Sequence, residues 1–205
     1  MRIYKRYAAI ITLIIISSQM GAWAKNSSTL ATPQPYSVQA TPQEIDKVFL
    51  ALFLKKHNIE SLDQYIVWLQ KNVHYQPDGN SDQWSNPIQT ILRRNGDCED
   101  LAFLNYAVLN AFGIDSKVLG IKKDSAHHLF TVFQYKQRMF VFDNTDCIQT
   151  KAQTFEDITV FLYDKYHIDY LLEATLYPKS ASLLLPKERI QEMVQLSRHK
   201  RDNVM

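Results

Sequence analysis

Cysteine, net charge and long apolar runs are all scarce in this 205-residue chain. It has two cysteines, Cys98 and Cys147. In an oxidising compartment such a pair reads first as a structural disulfide, and local context has to decide. The formal net charge is +2, but Arg2, Lys5 and Arg6 supply three of the 23 basic residues and the first 24 positions hold no acid. Beyond residue 24 the chain is one charge negative, 20 basic residues against 21 acidic. A near-neutral surface excludes the general electrostatic attraction that drives binding to nucleic acid or anionic lipid. The longest apolar run, Ala8 to Ile16, falls short of the ~20 residues of a membrane span, so no stable membrane anchor is expected. His57, His74 and His167 are isolated and show no metal-ligand spacing, and no internal repeat is visible.

What is present divides into three parts. A basic start, the apolar run and Ala22-Trp23-Ala24 as a small-x-small cleavage site predict a signal peptide over residues 1–24 and an exported, periplasmic or secreted protein cut near Ala24. Residues 25–41 are rich in Ser, Thr, Pro and Gln and predict a disordered or extended segment. Residues 42–205 suit one domain. Thr41, Pro42 and Glu44 predict a capped helix with an apolar stripe of Ile45, Val48, Phe49, Leu52 and Phe53. Ser61 opens a second helix carrying Leu62, Tyr65, Ile66 and Leu69, and Asn86-Pro87 a short third one running to about Arg94. From Asp97 to Phe112 runs a helix apolar on more than one face, stopped by Gly113 and therefore expected to be central. Strands are expected at 117–121, 128–135 and 138–143, then a helix near 155–164, a strand in 170–176 and a polar helix from Pro186 to about Arg198. Helices first and an antiparallel sheet after them is an α+β order.

Chemistry concentrates at Gly96-Asp97-Cys98-Glu99-Asp100. Cys98 comes directly after a predicted N-cap, where free N–H groups and the helix dipole favour a thiolate. The three acids oppose it if their side chains face the sulfur. Their other role is local: Asp97 caps the helix, Glu99 and Asp100 complement its dipole, and Asp100 occupies the capping-box position facing the Asp97 N–H. In the second strand, His128 shares a face with Phe130 and Val132. A short turn at Lys136-Gln137 sets Val132 opposite Val141 and Phe130 opposite Asp143, which brings Asp143 onto the His128 face within side-chain reach. A one-residue slip hands that place to His127. Cysteine at a helix start, a histidine on a strand and a carboxylate beside it form a set suited to thiol acyl transfer.

WSNPIQTILRRNGDCEDLAFLNYAVLNAFGI, HHLFTVF and MFVFDNT resemble the Cys, His and Asp blocks of the transglutaminase-like, papain-related superfamily. With Asp82-Gln83-Trp84 and Pro87 they are most similar to the bacterial transglutaminase-like cysteine proteinases. The resemblance implies a papain/transglutaminase-like α+β fold, its central helix starting at the cysteine and packed on a small antiparallel sheet. It implies a cysteine peptidase acting on a protein substrate, such as a cell-surface adhesin. Cys98 is then the nucleophile, His128 the general base and Asp143 the orienting carboxylate, with Trp84 near the oxyanion region. The resemblance also implies Ca²⁺ held by Asp97 and Glu99; no cofactor is required by the chemistry itself. Two alternatives stay open: acyl transfer to an amine by the same residues, and a non-catalytic exported binding module with a structural Cys98–Cys147 disulfide.

Overall fold

The computed structural model describes residues 40–79, 83–124 and 126–202. The predicted signal peptide, most of the 25–41 segment and Asp82 lie outside them. Helix α1 (Pro42–Lys56) starts as the sequence predicts: the Thr41 hydroxyl accepts the Glu44 N–H and the Glu44 carboxylate accepts the Thr41 N–H, a capping box with Pro42 in the first turn. The predicted stripe is rotated, however. Ile45 and Leu52 are about half exposed, and the buried face is Asp46, Leu50, Phe53 and Leu54. The physical reason is Asp46, whose carboxylate accepts the Tyr177 hydroxyl at 2.8 Å and so draws a polar residue inward.

Helix α2 (Leu62–Asn72) is capped by Ser61 and buries Leu62, Tyr65 and Leu69. Strand β1 (His74–Tyr75) pairs in parallel with β2 (Asn95–Gly96), so Asn95-Gly96 forms a short strand after the helix α3 (Pro87–Arg93), whose C-cap is Arg94 in the left-handed region. Helix α4 (Cys98–Ala111) is capped by Asp97 and ends ahead of Gly113 at φ 74°. Its buried residues include Leu101, Ala102, Phe103, Leu104, Asn105, Val108 and Leu109, the central helix expected from its apolar faces.

The sheet is built of six antiparallel strands: β3 (Ser116–Lys123), β4 (Ala126–Tyr135), β5 (Arg138–Asp143), β6 (Asp146–Gln149), β7 (Tyr170–Thr175) and β8 (Ser180–Leu185), in spatial order β6-β5-β4-β3-β7-β8. The β4–β5 register, Tyr135 with Arg138 and Val132 with Val141, is the one predicted from the turn. Helix α5 (Phe155–Tyr166) lies between β6 and β7 in the chain, and α6 (Lys187–Asp202) closes the described residues. Strand alternation gives the sheet two covered faces. Leu129 and Val118 pack with Ala102 and Phe103 of α4, while Phe133 and Phe142 join the core of α1, α2 and α4. Phe130, Val132 and Val141 pack on the other face under Ile158 and Leu162 of α5 and Ile190 and Val194 of α6. The fold is thus α+β, mixed helices on an antiparallel sheet. Among the described residues no helix is long and apolar enough to cross a membrane.

Candidate active site

The two-faced sheet decides how the predicted residues meet. Helix α4 covers the face of Leu129, Thr131 and Phe133; His128 and Asp143 alternate to the opposite face, that of Phe130 and Val141. Cys98, the first residue of α4, meets β4 through the main chain, because its sulfur accepts the Leu129 N–H. β4–β5 pairing runs out at Thr131 and Phe142, so Leu129 lies beyond the last pair of that ladder. The Cys98 sulfur thus meets the main chain of β4 at Leu129, whereas the His128 and Asp143 side chains meet each other on the opposite face, at the end of β5.

Two buried ties hold this crossing. The Thr131 hydroxyl on β4 donates to the Ala102 carbonyl oxygen on α4 at 2.7 Å. Asn105, one face of α4 further along, accepts the Tyr65 hydroxyl at 2.7 Å and donates to the Asn144 carbonyl oxygen at 2.9 Å, which pins the residue after Asp143 to the cysteine helix. Thr131, Asn105 and Tyr65 are fully buried, so the Thr131–Ala102 and Tyr65–Asn105 bonds are protected from water, while the Asn105–Asn144 bond is partly buried.

His128 Nε2 lies 2.8 Å from Asp143 Oδ1. The other carboxylate oxygen, Oδ2, receives the Tyr166 hydroxyl and the Lys165 ammonium, the latter at 3.3 Å. His128 first, then Tyr166 and Lys165, hold the Asp143 carboxyl well below the usual carboxylate range despite partial burial. An ionised Asp143 only accepts, so His128 Nε2 donates to it and Nδ1 is the ring nitrogen turned away from the carboxylate. Tyr166 escaped the sequence reading, which ended this helix near residue 164. No glycine marks the true end; His167 caps the helix in the left-handed region instead.

The thiol itself departs from expectation. Burial pushes Cys98 up to about 12, and Glu99 and Asp97 add to the effect against the Leu129 N–H. Glu99 does face the sulfur: Cys98 Sγ donates to Glu99 Oε2 at 3.1 Å. Desolvation and a neighbouring carboxylate thus outweigh the helix terminus, and the resting cysteine is a neutral thiol. Asp97 caps α4 through the Asp100 N–H and shares a side-chain hydrogen bond with Glu99. Asp100 does not form the expected capping box. Its Oδ1 accepts the Ser85 N–H at 2.5 Å, and a Cβ on Gly96 would come within 2.6 Å of its Cβ, which is why glycine stands there.

Trp84 packs on Phe103 with ring centroids 5.3 Å apart. It lines a cleft of about 650 Å³ with Ser85, Gln89, Arg93 and Lys179. Cys147 sits opposite Phe142 in the β5–β6 pair and packs against the helical core, with burial and then Asp63 pushing its thiol up to about 12. Cys98 and Cys147 are both free thiols, so the Cys98–Cys147 disulfide of the binding-module alternative is not formed. Asp97 and Glu99 offer the oxygen donors that calcium prefers, yet among the described residues no three His, Cys, Asp or Glu side chains converge as a metal site.

Comparison with curated proteins finds no match. Among solved structures, a candidate cysteine protease from Cytophaga hutchinsonii is 21% identical over 51% of this chain and 41% of its own, with a TM-score of 0.39. This chain therefore spans well under half the length of that protein. Calcium-bound LapG from Legionella pneumophila is 12% identical over 78% of this chain and 93% of its own, TM-score 0.41. EGTA-treated LapG is 15% identical over 56% and 70%, TM-score 0.38. A family model described as the transglutaminase-like superfamily matches residues 53–144. Residues 53–144 are thus similar to the transglutaminase-like superfamily, and Cys98, His128 and Asp143 all lie inside the matched stretch.

Proposed function

We propose that the protein is an exported cysteine peptidase that acts on a protein substrate through Cys98, His128 and Asp143. The observation that carries this reading is the His128–Asp143 bond, formed one residue away in the chain from the Leu129 N–H that the Cys98 sulfur accepts. As the substrate carbonyl approaches, the Cys98 proton passes to His128 Nδ1 and the sulfur–carbon bond forms. A neutral resting thiol makes this general-base catalysis at the moment of attack, in place of a standing thiolate. The Cys98 backbone N–H, which has no intrahelical partner in the first turn of α4, is the oxyanion donor. The imidazolium returns its proton to the leaving amine, the carbon–nitrogen bond breaks, and water deprotonated by His128 releases the acid from the thioester.

The first 24 residues support export, and the resemblance of the Cys, His and Asp blocks to the bacterial transglutaminase-like cysteine proteinases supports a protein substrate such as a cell-surface protein. Calcium at Asp97 and Glu99 would need further oxygens beyond the described side chains, and no step is assigned to it.

The reading is tested with a peptidyl chloromethyl ketone panel and a fluorescent casein on the protein beginning at Lys25. Alkylation at Cys98 that is lost in both Cys98→Ala and His128→Ala supports it. Labelling that is equally fast in His128→Ala overturns it. Product carrying an added amine probe in place of water would convert the reading to acyl transfer.

A further inference from the structure

Asp143 has two oxygens, and each has its own partner. Oδ1 faces the imidazole; Oδ2 is turned to the last turn of α5, where Tyr166 and Lys165 meet it. A carboxylate rotates about a broad sp³–sp² torsion, so one bond to histidine does not by itself hold its plane. A second donor on the far oxygen does. Tyr166 is itself held: its ring stacks on fully buried Phe130 with centroids 6.1 Å apart and planes 14° apart, and lies 6.3 Å from the His128 ring. The Lys165 ammonium lies 4.7 Å over the Tyr166 ring. Both residues belong to a helix outside the matched 53–144 stretch.

We infer that Tyr166 is a positioning residue for the His128–Asp143 pair, its hydroxyl fixing the Asp143 carboxylate so that Oδ1 receives the Nε2 proton and Nδ1 stays bare for the thiol. Lys165 assists on the same oxygen. Helix α5 thereby completes a site whose three chemical groups come from that stretch. The catalytic consequence rests on the peptidase reading above, whereas the effect on the imidazole does not.

The test uses ¹⁵N-ring-labelled histidine in the folded protein beginning at Lys25. Tyr166→Phe keeps the ring stack on Phe130 and removes only the hydroxyl. It is expected to convert the His128 signals from a single Nε2–H tautomer to a mixture, and to lower kcat about tenfold with KM within twofold. Lys165→Met, at an exposed position, is expected to do the same to a smaller degree, and tests the same oxygen should Tyr166→Phe fold poorly. An unchanged tautomer in both variants overturns the inference even in an active peptidase. A shifted tautomer in a protein that cleaves nothing supports the inference and overturns the peptidase reading.

Discussion

Thr131 on β4 donates its hydroxyl to the carbonyl oxygen of Ala102 on α4 at 2.7 Å, both residues almost fully buried. The bond fixes the height of the cysteine helix on the strand that carries His128, two residues from the Leu129 N–H that touches Cys98. Thr131→Val keeps the shape and removes the donor. A buried hydrogen bond is worth about 1 kcal/mol net and an orphaned group somewhat more, so stability should fall by about 1–2 kcal/mol. Urea unfolding should show a lower midpoint with an unchanged slope. A neutral result would mean the helix carbonyl is satisfied within α4 alone.

Asn105 ties three segments at once, and its loss should be larger. Asn105→Leu leaves the Tyr65 hydroxyl, at a fully buried position, and the Asn144 carbonyl oxygen without these partners. Two orphaned groups predict about 2–4 kcal/mol. In the Tyr65→Phe background the cost should shrink by about 1 kcal/mol, because that variant has already removed one orphan. Additive losses in this double-mutant cycle would sink the account of a shared network.

Helix starts and the β4–β5 register were legible in the sequence because their causes are local. Thr41 with Glu44, Asn86-Pro87 and Asp97 cap with their own neighbours, and the Lys136-Gln137 turn sets its flanking strands. What the chain hides is tertiary. The covered face of α1 turns on Asp46 meeting Tyr177, a residue beyond β7 in the chain. Strand β8 lies at the sheet edge with mostly exposed residues, so it lacks the alternation that marks a half-buried strand. The His128–Asp143 pair could be picked out from spacing and alternation. That this pair faces away from α4, and that Tyr166 lies behind Asp143, depends on which helix covers which face.

Glu99 faces the sulfur, so its charge should be measurable in the thiol. Glu99→Gln keeps an acceptor for the Cys98 proton and removes the carboxylate that opposes the thiolate. The Cys98 pKa should fall from about 12 while burial keeps it above that of a free thiol. Iodoacetamide labelling of Cys98 at pH 8 should accelerate about 3–10-fold, since the thiolate fraction rises tenfold per unit of pKa. The control is Cys147, whose thiol is raised by burial and Asp63 and should label at an unchanged rate. Equal Cys98 rates in the two proteins would remove Glu99 from the account of its resting state.

Asp143→Asn separates orientation from charge at the base. An amide presents an N–H where the carboxylate presented an acceptor, so the ring is free to carry its proton on Nδ1, the wrong nitrogen for receiving one from the thiol. Turnover should drop about 10²–10⁴-fold with KM little changed. Stability should fall too, because the ionised carboxylate is bonded to His128, Tyr166 and Lys165 in the fold. Kinetics on folded Asp143→Asn within a few-fold of the parent would remove Asp143 from the mechanism.

Asp46 makes the opposite demand on pH. Burial raises its carboxyl above the ordinary range, against the Tyr177 hydroxyl that lowers it. The fold therefore binds the proton more tightly than the unfolded chain does. That stabilisation is fully present below the unfolded value of about 3.9 and is lost as pH rises through the raised folded value. Asp46→Asn mimics the protonated form and still accepts from Tyr177. It should be more stable than the parent at pH 7, by about 0.5–1 kcal/mol, with the gap closing towards pH 4. Asp143, held well below the usual range, moves the other way: its contribution is present above about 3.9 and is lost only as pH falls through the lowered value. It is common to both proteins and cancels in the comparison. Thermal melts of the pair between pH 4 and 7 give the difference directly, and parallel curves would show that Asp46 is not desolvated in the folded protein.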